Sequence, residues 1–350
     1  MSIIPIKGRR IAIIGGAGFI GHNLALHMKS LGADVHVIDG LEVNNFLSLM
    51  GNKDSVPFPQ MMLQVVNERM GLLQQAQIPL HVQDARNYHA LSHLLSEINP
   101  QVIVHLAAVS HANRSNKNPY FTFDHSLRTL ENALDWSRGR LEHFVFLSSS
   151  MVYGNFKTPV VDEETICEPL GIYGALKYGA EKIIIAYNQV FKLPYTIIRP
   201  SALYGERCVS RRVGQIFIEN ALMGQPLKMS NGGAESLDFT YIGDLVDGIT
   251  KSIENTNGRN EIFNLTYGSA RSVADMAKLV QEHFPGIQVQ NEERDNLMPE
   301  RGTLNVDKAR RLIGYEPSWS LDRGYPKYIA WYKDMYARMH AAKARVPASA

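Results

Sequence analysis

Tyr173 and Lys177 stand four residues apart, so on a helix they project from one face and bring a phenol and an ammonium to one small site. A free tyrosine titrates near ~10, too high for a base at neutral pH, but an adjacent cation favours the phenolate. Ser149 follows the apolar run His143–Leu147 and offers a hydroxyl able to hold the same substrate oxygen as charge develops. Together the three make a proton-transfer set for an alcohol that gives up hydride. Each taken singly would read as a surface pair or a turn serine.

The elements that must position this set start near the beginning of the chain. Ile11-Ala12-Ile13-Ile14 reads as a buried strand, and Gly15-Gly16-Ala17-Gly18-Phe19-Ile20-Gly21 satisfies both the G-x-G-x-x-G and the G-x-x-G-x-x-G spacings. Such positions require a tight turn, a backbone with no Cβ facing phosphates, and a helix whose first N–H groups receive a pyrophosphate. A second apolar run, Val35–Ile38, ends in Asp39, at about the ~20-residue distance expected for a ribose-binding carboxylate. Asp39 would repel a 2′-phosphate, and Gly40-Leu41 supplies no arginine to offset it, so NAD is expected rather than NADP.

Strand-like runs recur at Leu80–Gln83, Val102–Leu106, His143–Leu147 and Tyr195–Ile198, and helical patterns at Phe19–Leu31, Tyr88–Ile98, Phe121–Ser137 and Tyr173–Phe191. This alternation predicts an α/β fold with a doubly wound parallel Rossmann sheet. Residues 42–78 are too many for an ordinary loop and predict an insertion with its own helix. Beyond Arg199-Pro200 the alternation decays. Helical segments at Val213–Met223, Val246–Glu254, Ser272–His283 and Asp307–Ile313, with short strands near Phe239–Tyr241 and Ile262–Leu265, predict a smaller, discontinuous α/β substrate-binding lobe at the carboxyl edge of the sheet. The expected division is 1–200 for the NAD-binding part and 201–340 mainly for the substrate lobe, with part of 239–265 returning to the first and 341–350 a flexible tail.

Composition narrows the class. With 350 residues, 45% of them hydrophobic, the chain can bury a large core, and a net charge of +2 leaves no electrostatic footprint for nucleic acid. Cys167 and Cys208 are too isolated for a disulfide framework or a zinc site, so a reducing, cytoplasmic setting without a metal is expected. No apolar run reaches membrane-spanning length, and Met1 to Arg9 lacks the apolar core of a signal peptide.

These motifs, joined by Asp84, Leu106-Ala107-Ala108, Ser148-Ser149-Ser150-Met151-Val152-Tyr153-Gly154, Arg199-Pro200-Ser201-Ala202-Leu203-Tyr204-Gly205 and Asp238-Phe239-Thr240-Tyr241-Ile242, resemble the extended short-chain dehydrogenase/reductase superfamily. The likeness is nearest to its NAD-dependent nucleotide-sugar epimerases and dehydratases, and to UDP-sugar 4-epimerases among them. The resemblance implies that Asp84, with Ala85 beside it, contacts the adenine and Asp39 the ribose. It implies that Leu106, Ala107, Ala108 and Pro200 line the cofactor crevice, that Lys177 holds the nicotinamide ribose, and that Tyr173 is the acid/base. Ser149 would bind the reacting hydroxyl, with Ser110, His111, Ser150, Met151 and Ser201 near the sugar, and the segment from Arg199 to Met229 would wrap the nucleotide diphosphate. Relatives commonly form homodimers through the two helices that here would be Phe121–Ser137 and Tyr173–Phe191.

Departures from the family pattern sharpen the expectation. Where 4,6-dehydratases carry an Asp-Glu pair this chain has Ser150 and Met151, and the decarboxylases' glutamate is also replaced by Met151, so elimination lacks its acid and base. Leu237 occupies the place of a diphosphate-gripping arginine, leaving Arg211, Arg212 or Arg301 to substitute. His125 takes the place of a helix asparagine. The expected reaction is C4 epimerisation of a UDP-sugar through a transient 4-keto sugar with retained NAD. The alternatives are a reductase or dehydrogenase that releases its cofactor, a multi-step epimerase drawing on Cys167, His111 or His125, and a non-catalytic NAD-binding regulator.

Overall fold

The computed structural model describes residues 2–42, 59–109, 112–293 and 298–344. Its centre is a seven-stranded parallel sheet made, in chain order, of β1 (Arg10–Ile14), β2 (Asp34–Asp39), β3 (Leu80–Val82), β4 (Val102–His105), β5 (His143–Leu147), β6 (Tyr195–Arg199) and β7 (Glu261–Asn264). The spatial order is β7-β6-β5-β4-β1-β2-β3, the doubly wound arrangement whose strand order reverses beside β1. Central strands read as unbroken apolar runs because helices cover both faces: Ile11, Ala12, Ile13, Val102, Ile103 and Val104 are all fully buried. Register is tight across the switch, with Ile13 opposite Val37 on one side and Val104 on the other.

Helix α1 (Phe19–Ser30) follows the glycine turn, and α2 (Pro59–Gln75) is the helix expected in the insertion, its Met61, Val65 and Leu73 packed into the core. The rest of the insertion's calls, over 43–58, lie outside the described residues. Helix α3 (Tyr88–Ile98) starts at Asn87, whose side chain accepts from Ala90 N, and stops at left-handed Asn99.

One element differs from expectation. The single helix predicted over Phe121–Ser137 is divided into Pro119–Phe123, a π-type turn Asp124–Arg128, and α4 (Thr129–Ser137). At the join, Thr129 Oγ1 donates to the carbonyls of His125 and Ser126, satisfying groups that the widened turn frees. Helix α5 (Gly171–Phe191) carries Tyr173 and Lys177.

Beyond β6 the chain builds α6 (Val213–Leu222) and α7 (Ile242–Glu254), then returns to the sheet as edge strand β7, paired in parallel with β6. A 24-residue helix, α8 (Leu321–Ala344), for which no expectation existed, closes this end with Tyr325, Tyr328, Tyr332 and Met335 fully or almost fully buried. Short strand pairs link distant segments: Leu203–Tyr204 with Thr240–Tyr241, Leu227–Ser230 with Val289–Glu292, and Val160–Val161 with Thr303–Leu304. No helix among the described residues is long and apolar enough to cross a membrane.

Candidate active site

The carboxyl ends of β1, β4, β5 and β6 deliver Gly15, Leu106, Ser148 and Pro200 to one edge of the sheet. Gly15 has φ 81, and a Cβ there would meet Ala107 N at 2.7 Å; one on Gly21 would meet Gly16 Cα at 2.5 Å. Turn, helix start and the Ala107 backbone therefore pack at a distance only glycine permits. At Gly18 no side chain caps α1 and no acidic residue occupies its first turn, so its N–H groups are available to an anion. Half-buried Asp39 accepts from Ala17 N at 3.0 Å and from Leu41 N at 2.8 Å, which sets a carboxylate beside the turn. An uncapped N-terminus without a Cβ and an adjoining carboxylate fit the pyrophosphate and ribose of NAD.

Asp84 lies next to Gly40, with its carboxylate held by Arg86 Nη2 at 2.6 Å and Nε at 3.0 Å, contacts that keep it below the usual carboxylate range. Ala85 is buried, and its carbonyl, like that of Arg86, accepts from Asn132 Nδ2 at 2.9 Å. Asn132 thus pins the turn that presents Asp84, a role no local motif announces.

A cavity of about 530 Å³ opens from this crevice, and its walls include Ile20, Leu106, Ala108, Ser149, Tyr173, Lys177 and Pro200. Lys177 donates from Nζ to the Leu147 carbonyl at 2.7 Å and lies 4.8 Å from the centroid of the Phe146 ring. Burial draws its pKa down to about 8, against the opposing charge of Glu181. Ser149 caps the short turn Ser150–Tyr153 by accepting from Met151 N at 3.2 Å, which leaves its own hydrogen to donate.

Beneath these groups runs a buried polar chain. Glu181, one turn after Lys177 on the same face of α5, accepts from Ser148 Oγ and, through both oxygens, from Arg199 at 3.0 and 2.7 Å. Arg199 also donates to Tyr153 Oη at 3.0 Å, and that hydroxyl donates to Asn264 Oδ1 at 2.8 Å. The signal for Glu181 was present as i, i+4, i+8 spacing from Tyr173.

Basic side chains also line the cavity, together with Glu235. Arg211, Arg212 and Arg301 all line it; Arg211 Nε lies 3.2 Å from Glu219 Oε2, and its backbone N–H donates to Gln215 Oε1. Arg301 reaches the cavity because buried Asp238 accepts from Leu304 N at 3.0 Å, Thr266 Oγ1 at 3.0 Å and Gly268 N at 3.1 Å, fixing the strand that follows Arg301. Burial and the neighbouring Arg212 lower the Arg301 pKa to about 10, with Glu235 opposing. Leu237 is buried in the same wall and carries no charge there.

Ser150, Met151 and Ser201 are buried wall residues, and Ser201 Oγ has no hydrogen-bond partner among the described residues. Ser110 and His111 lie outside the described residues. His125 stacks on Phe121 and pairs with Glu42, away from the cavity lining, and Cys167 packs with Val152, Tyr153 and Val161 with its thiol pushed up by burial. Neither stands where an additional acid or base would act.

Comparisons with known proteins place the chain in a family. The uncharacterized UDP-glucose epimerase YtcB of Bacillus subtilis is 31% identical over 239 residues, 67% of this chain and 75% of that protein. The putative UDP-glucose 4-epimerase of Methanocaldococcus jannaschii is 28% identical over 93% of this chain and 98% of its own length. The crystal structure of UDP-glucuronic acid 4-epimerase from Bacillus cereus, in complex with UDP-glucuronic acid and NAD, superposes with a TM-score of 0.80 over 93% of this chain and 99% of that one, at 24% identity, a likeness of fold. The model of the NAD dependent epimerase/dehydratase family matches residues 11–266, from the first strand through the loop that Asp238 holds, and the chain belongs to that family.

Proposed function

We propose that this protein is an NAD-dependent epimerase that inverts C4 of a UDP-sugar through a transient 4-keto sugar, with its cofactor retained between turnovers. The observation that carries the reading is one cavity whose walls include both the set Tyr173, Lys177 and Ser149 and the guanidinium groups of Arg212 and Arg301. When bound, NAD supplies the hydride acceptor and donor. Tyr173 takes the C4 hydroxyl proton and returns it, Lys177 supplies the adjacent cation that favours the phenolate, and Ser149 donates to the same oxygen as charge develops on it. Arg212 and Arg301 grip the diphosphate, anchoring the substrate at a distance that leaves the sugar ring free to turn.

Ser150 and Met151 provide neither acid nor base next to Ser149, which disfavours elimination of water. Exposed apolar side chains on or beside the two segments expected to mediate dimerisation, Tyr120 at 85% just before the first, Phe123 at 56% and Val190 at 68%, support a homodimer. The two free cysteines suit a cytoplasmic setting.

The test is incubation of the purified protein with UDP-, GDP-, CDP- and dTDP-sugars without added nicotinamide. A C4 epimer from a UDP-sugar is expected, and Tyr173→Phe should slow its formation by roughly 10²–10⁴ while bound NAD persists. Turnover only with added reduced cofactor would instead indicate a reductase, and an undiminished Tyr173→Phe would overturn the assignment of the base.

A further inference from the structure

A closed ring of hydrogen bonds ties the segment 201–212, which supplies part of the cavity wall, to the glycine turn before α1. His22, fully buried in α1, donates from Nδ1 to the Gly18 carbonyl at 2.8 Å, and its Nε2 accepts from Arg207 Nε at 2.9 Å. The partners dictate this tautomer, since a carbonyl cannot donate and a guanidinium cannot accept. Burial, together with the charges of Arg69 and Arg207, holds the imidazole well below its ordinary pKa, so it stays neutral.

The ring closes on the other side through Arg69, fully buried on α2. Its Nε donates to the Arg207 carbonyl at 3.0 Å, its Nη2 donates there too, and its Nη1 donates to the Ala17 carbonyl at 3.4 Å. Arg207 also donates to Asn23 Oδ1 at 3.1 Å and to Glu68 Oε1 at 3.3 Å. Ala17 and Gly18, neighbours in the turn, are thus each held by a route that ends on residue 207. That residue sits at φ 64, a left-handed conformation uncommon for arginine, and its successors Cys208, Arg211 and Arg212 line the cavity.

We propose that Arg207 is a positioning residue that couples this part of the cavity wall to the glycine turn: a nucleoside diphosphate seated against 208–212 holds the glycine turn closed and slows NAD release. The proposal rests on the reading of the cavity as an NAD and nucleotide-sugar site. Linkage makes the coupling reciprocal, so bound NAD also tightens the hold on the diphosphate. A mere structural brace would lack this property.

The experiment follows NAD release from the holoenzyme by exchange with a fluorescent etheno-adenine analogue, with and without saturating UDP, alongside UDP affinity and melting temperature. UDP should slow release at least about fivefold in the parent, the low end of coupling between two sites. Arg207→Ala should speed basal release roughly tenfold, as expected for loss of a charge-assisted hydrogen bond, and abolish the effect of UDP while UDP still binds. Arg207→Lys, which keeps the charge on a single nitrogen, should restore part of it. His22→Asn removes the Nε2 acceptor without touching the cavity wall, and should weaken the UDP effect even where Arg207→Ala fails to fold. An Arg207→Ala or His22→Asn protein with a lower melting temperature but the parent's UDP effect overturns the coupling alone. A parent that binds no NAD overturns the functional reading beneath it.

Discussion

Lys177 is the residue whose environment most directly sets how the reaction should respond to pH. Its folded pKa of about 8 lies below its ordinary 10.5, so between those values the unfolded chain binds more protons than the folded one. Burying the ammonium is therefore a cost present in full below pH 8 and relieved as pH rises through that window. In the proposed mechanism catalysis runs the other way: the Lys177 cation that it places beside Tyr173 is lost above about 8. The rate of epimerisation is expected to bend downward there, and Lys177→Met should lower the rate and remove that bend, as a pH–rate profile would show. A profile with the same alkaline limb in the variant would assign the limb elsewhere. Tyr173, Lys177 and Ser149 were legible in the sequence because helical spacing and a strand-end turn are local patterns. His22 and Arg207 were not, because the bond between them spans 185 positions and neither residue type signals it.

At the scale of elements, the pair Glu181–Arg199 joins the middle of α5 to the end of β6, with side chains only 1% and 3% exposed. Removing one partner leaves a buried charge without its counter-ion, so Glu181→Ala should lower stability by about 3–5 kcal/mol, read from denaturant midpoints at constant m. A loss below about 1 kcal/mol, typical of exposed pairs, would contradict the burial. The parallel strands were readable because burial on both faces demands continuous apolar runs. The π-type turn at Asp124–Arg128 was not, because the apolar pattern persists across it and periodicity cannot register one widened turn. Helix α8 was not legible because Pro326 lies inside its first turns, and it extends through Ala344, into the 341–350 stretch expected as a flexible tail. Two-residue strands such as Thr240–Tyr241 exist only through partners remote in sequence.

For the whole molecule, the dinucleotide half was far more legible than the substrate half. Gly15 to Gly21 and Asp39 lie within one strand–turn–helix–strand unit, whereas Arg212 and Arg301 reach the cavity from separate segments, the second by way of the Asp238 carboxylate. The exposed apolar side chains Tyr120, Phe123 and Val190 lead to an expected homodimer by light scattering. Val190→Glu should shift it toward the mass of one chain, and a parent already of that mass would end the proposal. The central claim is direct hydride return to the carbon that lost it. Turnover of a UDP-sugar carrying deuterium at C4, without added nicotinamide, tests it most directly. The account predicts the C4 epimer with deuterium retained at C4; a product that has exchanged that deuterium with solvent, or has lost water, would contradict it.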